Sequence, residues 1–179
     1  MLIVIDMQRD FITGPLGTPQ SRAIVPAVAA RILRAREEGT QVIFALDTHE
    51  EDYAASREGR LLPVRHALRG SEGWALAPEI GAVCSRGMLS IEKSAFSSPA
   101  LSRHVSEIAL LRGSPMGCGL RIELCGVCTD KCLISNALLL RSALPEADVV
   151  VDSRLCAGST PELHRSALDV MRSCQIEVL

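Results

Sequence analysis

Three side chains in this sequence supply a nucleophile, an acid–base group and a cation: Cys132, Asp6 and Lys93. Cys132 lies three residues after Thr129, at the start of the segment with the strongest helical pattern, Thr129 to Leu144. The amides exposed at a helix N-terminus favour a thiolate over a thiol. They can also hold a developing oxyanion, with the backbone N–H groups of Cys128 and Cys132 as candidate donors. Asp6 directly follows the aliphatic run Leu2–Ile5 and can take the thiol proton, then return it to a leaving amine. Lys93 keeps Asp6 or the thiolate charged by proximity. Together these groups fit attack of a cysteine on an amide carbonyl.

A second constellation lies in a polar stretch. Asp47-Thr48-His49, then Glu58, then His66 offer two imidazoles and two carboxylates, a donor set for zinc, iron or manganese. Cys125, Cys128 and Cys132 offer a rival soft-ligand site for zinc or an iron–sulfur cluster. Set against that rival, they straddle a strand end and a helix start, where a glycine and a Thr-Asp pair fit a reaction-site turn. His104 and His164 fall on helical segments, with surface or interhelical roles.

Alternating elements must position these groups. Leu2–Ile5 reads as a fully buried parallel strand, and Ala23 to Glu38 as a helix stopped by Gly39. Gln41–Leu46 is a second strand ending at Asp47. A long irregular stretch runs from Thr48 to about Ser85, the kind of loop that is functional when it occurs inside a compact domain. Met88–Glu92, Arg121–Cys125, Val149–Val151 and Ile176–Leu179 are further strands. Between them fall helices over Pro99 to Leu111, Thr129 to Leu144, and from Ser159-Thr160-Pro161-Glu162 to about Ser173. The pattern predicts a single α/β domain over residues 1–179, a mostly parallel, Rossmann-like six-stranded sheet with helices on both faces. In such sheets the ligand crevice opens beyond the carboxyl ends of the strands. Asp6, Asp47, Lys93 and the Gly126–Cys132 segment all stand there.

The bulk properties exclude other classes. A net charge of -2 over 179 residues, with acids and bases interspersed, leaves no footprint for nucleic acid. No apolar run approaches a membrane span. The chain opens on Met1-Leu2-Ile3-Val4-Ile5 without a basic leader, and its seven cysteines are an odd number. Reduced thiols in the cytoplasm and a small-molecule partner are the expectation.

These residues also form a family pattern. Val4-Ile5-Asp6-Met7-Gln8-Arg9-Asp10-Phe11 resembles the opening motif of isochorismatase-like cysteine hydrolases, and Gly126-Val127-Cys128-Thr129-Asp130-Lys131-Cys132 resembles their nucleophile turn. Lys93, followed by Ser94-Ala95-Phe96, is similar to their lysine segment, and Cys156-Ala157-Gly158 before the last helix extends the likeness over nearly the whole chain. The resemblance implies a triad of Asp6, Lys93 and Cys132, and a cis peptide between Val127 and Cys128 that forms the oxyanion hole. Within the superfamily, Asp47, His49, Glu58 and His66 resemble the metal ligands of nicotinamidases, in the variant where a glutamate replaces one histidine. That implies a divalent metal, zinc first and iron or manganese otherwise, with Phe11 against the substrate ring, and family habit adds a homo-oligomer. The implied reaction is nicotinamide plus water giving nicotinate and ammonia through a thioester. Leu61, Leu62 and Pro63 stand where the family carries an aromatic, which keeps a different amide or a vinyl ether in view as substrate. A non-catalytic binding or redox protein built on the cysteine cluster is the remaining reading.

Overall fold

The computed structural model describes residues 1–84 and 88–179; the expected end of the irregular stretch at Ser85 lies outside them. Aliphatic runs form the strands β1 (Leu2–Ile5), β2 (Val42–Asp47), β3 (Leu89–Lys93), β4 (Arg121–Val127) and β5 (Asp148–Ala157), with a short β6 (Glu177–Val178). They make one sheet in the order β3-β2-β1-β4-β5-β6. Every pairing is parallel. The helices are α1 (Arg9–Ile12), α2 (Pro19–Glu37), α3 (Arg57–Leu61), α4 (Pro78–Val83), α5 (Pro99–Leu111), α6 (Ile134–Ala143) and α7 (Pro161–Ser173).

The strand alternation divides the core into two layers. Ile3, Ile5, Ile43, Ile122 and Leu124 pack with α5, α6 and α7, through Leu101, Val105, Ala137, Leu140, Leu168 and Met171. Leu2, Val4, Phe44 and Leu46 face the other way, against Val28, Ile32 and Ala35 of α2 and Ile80 of α4. A register slip of one residue would exchange the two sets, so burial on both faces fixes where each strand ends. Strands β1, β2 and β3 step towards one edge, after which the chain crosses back to lay β4 on the free side of β1. The strand order therefore reverses between β1 and β4, and a crevice opens past their carboxyl ends.

Several elements differ from the sequence reading in extent. Helix α2 starts at Pro19, because Thr18 caps it and exchanges reciprocal hydrogen bonds with Ser21. Strand β5 continues from Val151 through the polar Asp152-Ser153-Arg154 to Ala157, where the Arg154 guanidinium neutralises Asp152. Strand β4 runs on to Val127, with a register irregularity between Leu124 and Gly126. The helix expected over Thr129 to Leu144 opens as one π-helical turn, Thr129–Leu133, before α6 begins. The irregular stretch contains a 3₁₀ turn at Tyr53–Ala55 together with α3 and α4.

One glycine controls the β1–β4 approach. Gly126 has φ +114°, and a Cβ there would stand 2.1 Å from the Ile5 carbonyl oxygen. A side chain at this position meets both backbone strain and a backbone clash. Gly126→Ala is expected to lower unfolding free energy by at least about 2 kcal/mol in urea denaturation, with both measured on the folded wild-type baseline.

Candidate active site

The four strand ends predicted to converge do so. Asp6, one residue past β1, is fully buried and sits in the left-handed region with φ 49°. Lys93 closes β3, and its ammonium Nζ lies 2.8 Å from Asp6 Oδ2. It donates to Asp47 Oδ1 at 3.1 Å and to Cys132 Sγ at 3.4 Å. Cys132 lies in the π-helical turn that follows β4, and the Val127–Cys128 peptide is cis. Cys128 O accepts from Lys131 N–H and Leu133 N–H. Asn136, one turn on, donates to Cys132 O at 2.7 Å and to Phe96 O at 3.0 Å, tying the Cys132 turn to the segment after Lys93.

Burial and charge set the protonation of this cluster. Burial would lower the Lys93 pKa, but Asp6, Cys132 and Asp47 outweigh it and hold the ammonium firmly charged. Burial pushes the Asp6 carboxyl up to about 6 against the opposing pull of Lys93. Burial also pushes Asp47 up, yet the His49 and His66 imidazoles and Lys93 overcome this and hold it well below the carboxylate range. The Cys132 thiol is driven upward by burial first and by the Asp6 charge second. Burial thus favours the protonated thiol at Cys132, against the opposing pull of the Lys93 ammonium.

Asp47 is shared between this cluster and a second one. His49 Nε2 lies 3.1 Å from Asp47 Oδ2, and His66 Nε2 lies 3.5 Å from the same oxygen. Glu58 Oε1 stands 4.0 and 3.9 Å from the two imidazole nitrogens. The His66 Nδ1 lies 2.7 Å from Val64 O; a carbonyl only accepts, so Nδ1 carries a proton and Nε2 is the nitrogen that faces Asp47. His49 Nε2 is buried without a hydrogen-bond partner, the Asp47 contact being too poorly aligned to serve as one. The donor atoms of Asp47, His49 and His66 all fall within 4.8 Å of one another. Two buried imidazole nitrogens, one of them without a hydrogen-bond partner, and a carboxylate fit a divalent ion of the zinc, iron or manganese type, with Glu58 in reach as a further oxygen.

Other residues emerge that the sequence reading did not assign. Gln8 is fully buried and clamps the Asp47 backbone: its Oε1 accepts from Asp47 N–H at 2.8 Å, and its Nε2 donates to Asp47 O at 2.9 Å. Its partner stands 39 residues away, so nothing in its spacing or residue type marked it in the sequence. Tyr53 stacks 4.7 Å from His49 and 5.1 Å from His66, ring to ring, walling the imidazoles on a side the sequence left blank. Phe11, which the resemblance sets against the substrate ring, packs edge-on to His66 at 5.5 Å and is almost wholly buried. The cysteine-ligand alternative dissolves, since Cys125 packs into one core layer and Cys132 into the other. His164 bridges helices as expected, its Nδ1 2.9 Å from Thr129 Oγ1.

A cleft of about 1090 Å³ opens over Lys93 and His49, walled by Tyr53, Leu61, Leu62 and Phe96. No helix of the described residues is long and apolar enough to cross a membrane.

Comparison with known proteins follows this geometry. The family model described as the isochorismatase domain matches residues 1–179. The chain is similar to a solved pyrazinamidase of Pyrococcus horikoshii in complex with zinc, at 27% identity and TM-score 0.82, covering 99% of this chain and 97% of that one. It is equally similar to a nicotinamidase/pyrazinamidase from Bacillus subtilis, at 26% identity and TM-score 0.82, with the same 99% and 97% coverage. An N-carbamoylsarcosine amidase from Thermoplasma acidophilum shares the fold at 24% identity and TM-score 0.73, over 99% and 93% of the two chains. No curated protein sequence matches the chain significantly.

Lys93 is the cation that makes two buried carboxylates tolerable. Lys93→Met removes it and leaves Asp6 and Asp47 uncompensated, so unfolding free energy is expected to fall by about 3 kcal/mol, read from the urea midpoint at constant m-value.

Proposed function

The chain belongs to the isochorismatase family, and from that membership we propose that it is a metal-containing nicotinamidase, hydrolysing nicotinamide to nicotinate and ammonia. The observation that carries the reading is the single ammonium of Lys93, in contact with Asp6, Asp47 and Cys132, beside a His-His-Asp donor set that shares Asp47. The similarity to a pyrazinamidase in complex with zinc and to a nicotinamidase/pyrazinamidase supports the same choice.

The mechanism follows from the positions of the groups. Cys132 Sγ attacks the carboxamide carbon while its proton passes to Asp6, whose pKa near 6 suits a base that must later act as an acid. The carbonyl oxygen becomes an oxyanion facing the backbone N–H groups of Cys128 and Cys132. Asp6 returns the proton to the leaving nitrogen, the C–N bond breaks, and ammonia departs from a Cys132 thioester. Water then attacks the thioester, giving up its proton to Asp6, and the carboxylate leaves as the thiol is restored. Lys93 stays charged throughout and stabilises whichever of Asp6 or Cys132 is the anion. A divalent ion held by Asp47, His49 and His66, with Glu58 as a further donor, would supply a Lewis-acid contact for a ring nitrogen and orient the carboxamide towards Cys132.

The wall of the cleft supports a second reading. Leu61 and Leu62 line the cleft where an aromatic clamp is expected, which favours a different amide or a vinyl ether handled by the same residues.

Ammonia release from nicotinamide by purified protein, with chelator and metal add-back, separates the two. Loss of turnover with chelator and its return with zinc, iron or manganese is expected. Absence of turnover in metal-loaded protein whose Cys132 still reacts with iodoacetamide would retire nicotinamide as the substrate. Cys132→Ala is expected to reduce kcat by at least about 10³-fold, whereas Cys128→Ala, which keeps its backbone amide, should hold kcat within a few-fold. The reverse ranking of these two variants would overturn the choice of nucleophile.

A further inference from the structure

The proposed chemistry leaves one acidic side chain of the opening motif without a task. Asp10 lies in α1, and its Oδ2 accepts the Ala67 N–H at 2.8 Å. That N–H belongs to the peptide joining Ala67 to His66. Ala67 has φ 47°, a left-handed conformation that an alanine holds when its surroundings impose it. On its other side, Ala67 O accepts from His49 N–H at 2.9 Å, and His49 O accepts from Arg69 N–H at 2.8 Å. Ala67 is therefore the node between the two imidazole-bearing residues, and Asp10 holds that node.

The carboxylate has little freedom to do anything else. A Cβ on Gly73 would stand 2.1 Å from Asp10 Oδ2, and one on Gly14 would stand 2.5 Å from Oδ1. The Asp10 N–H also donates to Gly73 O at 3.0 Å. Two side-chain-free positions thus form a cradle shaped to the carboxylate, aimed at a backbone N–H next to His66. The His66 ring is held independently by Val64 O at Nδ1. Ring and backbone together fix where Nε2 points.

We infer that Asp10 is a positioning residue for the metal-ligand pair, setting the separation of His49 Nε2 and His66 Nε2 by anchoring the His66–Ala67 peptide. The inference rests on the metal-site reading above. Outer partners of this kind change metal affinity by about 10- to 100-fold when removed.

The test is titration of chelator-stripped protein with Co²⁺ alone, followed by its visible absorption, with the melting temperature of each apo variant checking the fold. Asp10→Ala is expected to weaken Co²⁺ binding by about 10- to 100-fold and to shift the absorption bands. Asp10→Asn keeps an oxygen able to accept the same N–H and is expected to bind as the wild type does. Gly73→Ala pushes the carboxylate out of its cradle while leaving Asp10 in place, so it should reproduce the weakening even if Asp10→Ala does not fold. A folded Asp10→Ala or Gly73→Ala with wild-type affinity and spectrum overturns the inference, as does Asp10→Asn binding as weakly as Asp10→Ala. Wild-type protein that takes up no Co²⁺ overturns the metal reading and the inference together, and that arm tells the two failures apart.

Discussion

A charged ammonium sits in the interior of this protein, and the rest of the site is arranged around it. Burying a cation costs several kcal/mol unless partners replace the lost water. Lys93 has two carboxylates and a thiol as those partners, each delivered by a different strand end. Asp6 follows β1, Asp47 ends β2, Lys93 ends β3, and Cys132 follows β4. The sheet register is therefore an electrostatic requirement as well as a packing one. Moving any of these strands by one residue would swap its buried face and strip the ammonium of a partner. Parallel pairing brings all four carboxyl ends to one rim, which an antiparallel sheet could not do.

The requirement reaches further because Asp47 has two oxygens and uses both. Oδ1 accepts from Lys93, while Oδ2 faces the imidazoles of His49 and His66. Its backbone is gripped by Gln8, and its N–H also points at Asp6 Oδ1, 3.0 Å away. One buried residue thus joins the Lys93 cluster to the candidate metal donors by direct contacts, where charges are weakly screened. A positive charge gained or lost among the imidazoles is felt at Lys93 through a single carboxylate, and from Lys93 at Cys132.

Much of this was legible in the sequence, for a physical reason. A strand buried on both faces is a continuous aliphatic run, so a charged residue that ends it is conspicuous. Asp6 and Asp47 each end such a run, whereas Lys93 ends an edge strand that alternates between half-buried and exposed residues. The turn carrying Cys132 followed another run and began with helix-start residues. Two kinds of feature were hidden. Gln8, Asn136 and Asp10 act by hydrogen bonds to backbone groups distant in sequence, and neither spacing nor residue type encodes those partners. Tyr53 and the short helices of the stretch after Thr48 depend on tertiary packing, since no hydrophobic period marks them. The near-complete burial of Cys132 was hidden too, because a helix start is visible in a sequence whereas enclosure by distant elements is not.

Chemistry and selection are consequently built from different material. The reacting groups hang on buried strand ends, tied to one another and to the core, where a change in one disturbs all. The residues that would touch the far side of a substrate, Tyr53, Leu61, Leu62 and Phe96, sit on short helices and loops at the cleft wall. Leu61 and Phe96 are largely exposed, so replacing them disturbs little packing and no charge. A division of this kind lets the buried cluster stay fixed while the wall is rewritten for new substrates. The wall of Tyr53, Leu61, Leu62 and Phe96 is where selectivity has room to change, because the buried cluster has no freedom left to express it.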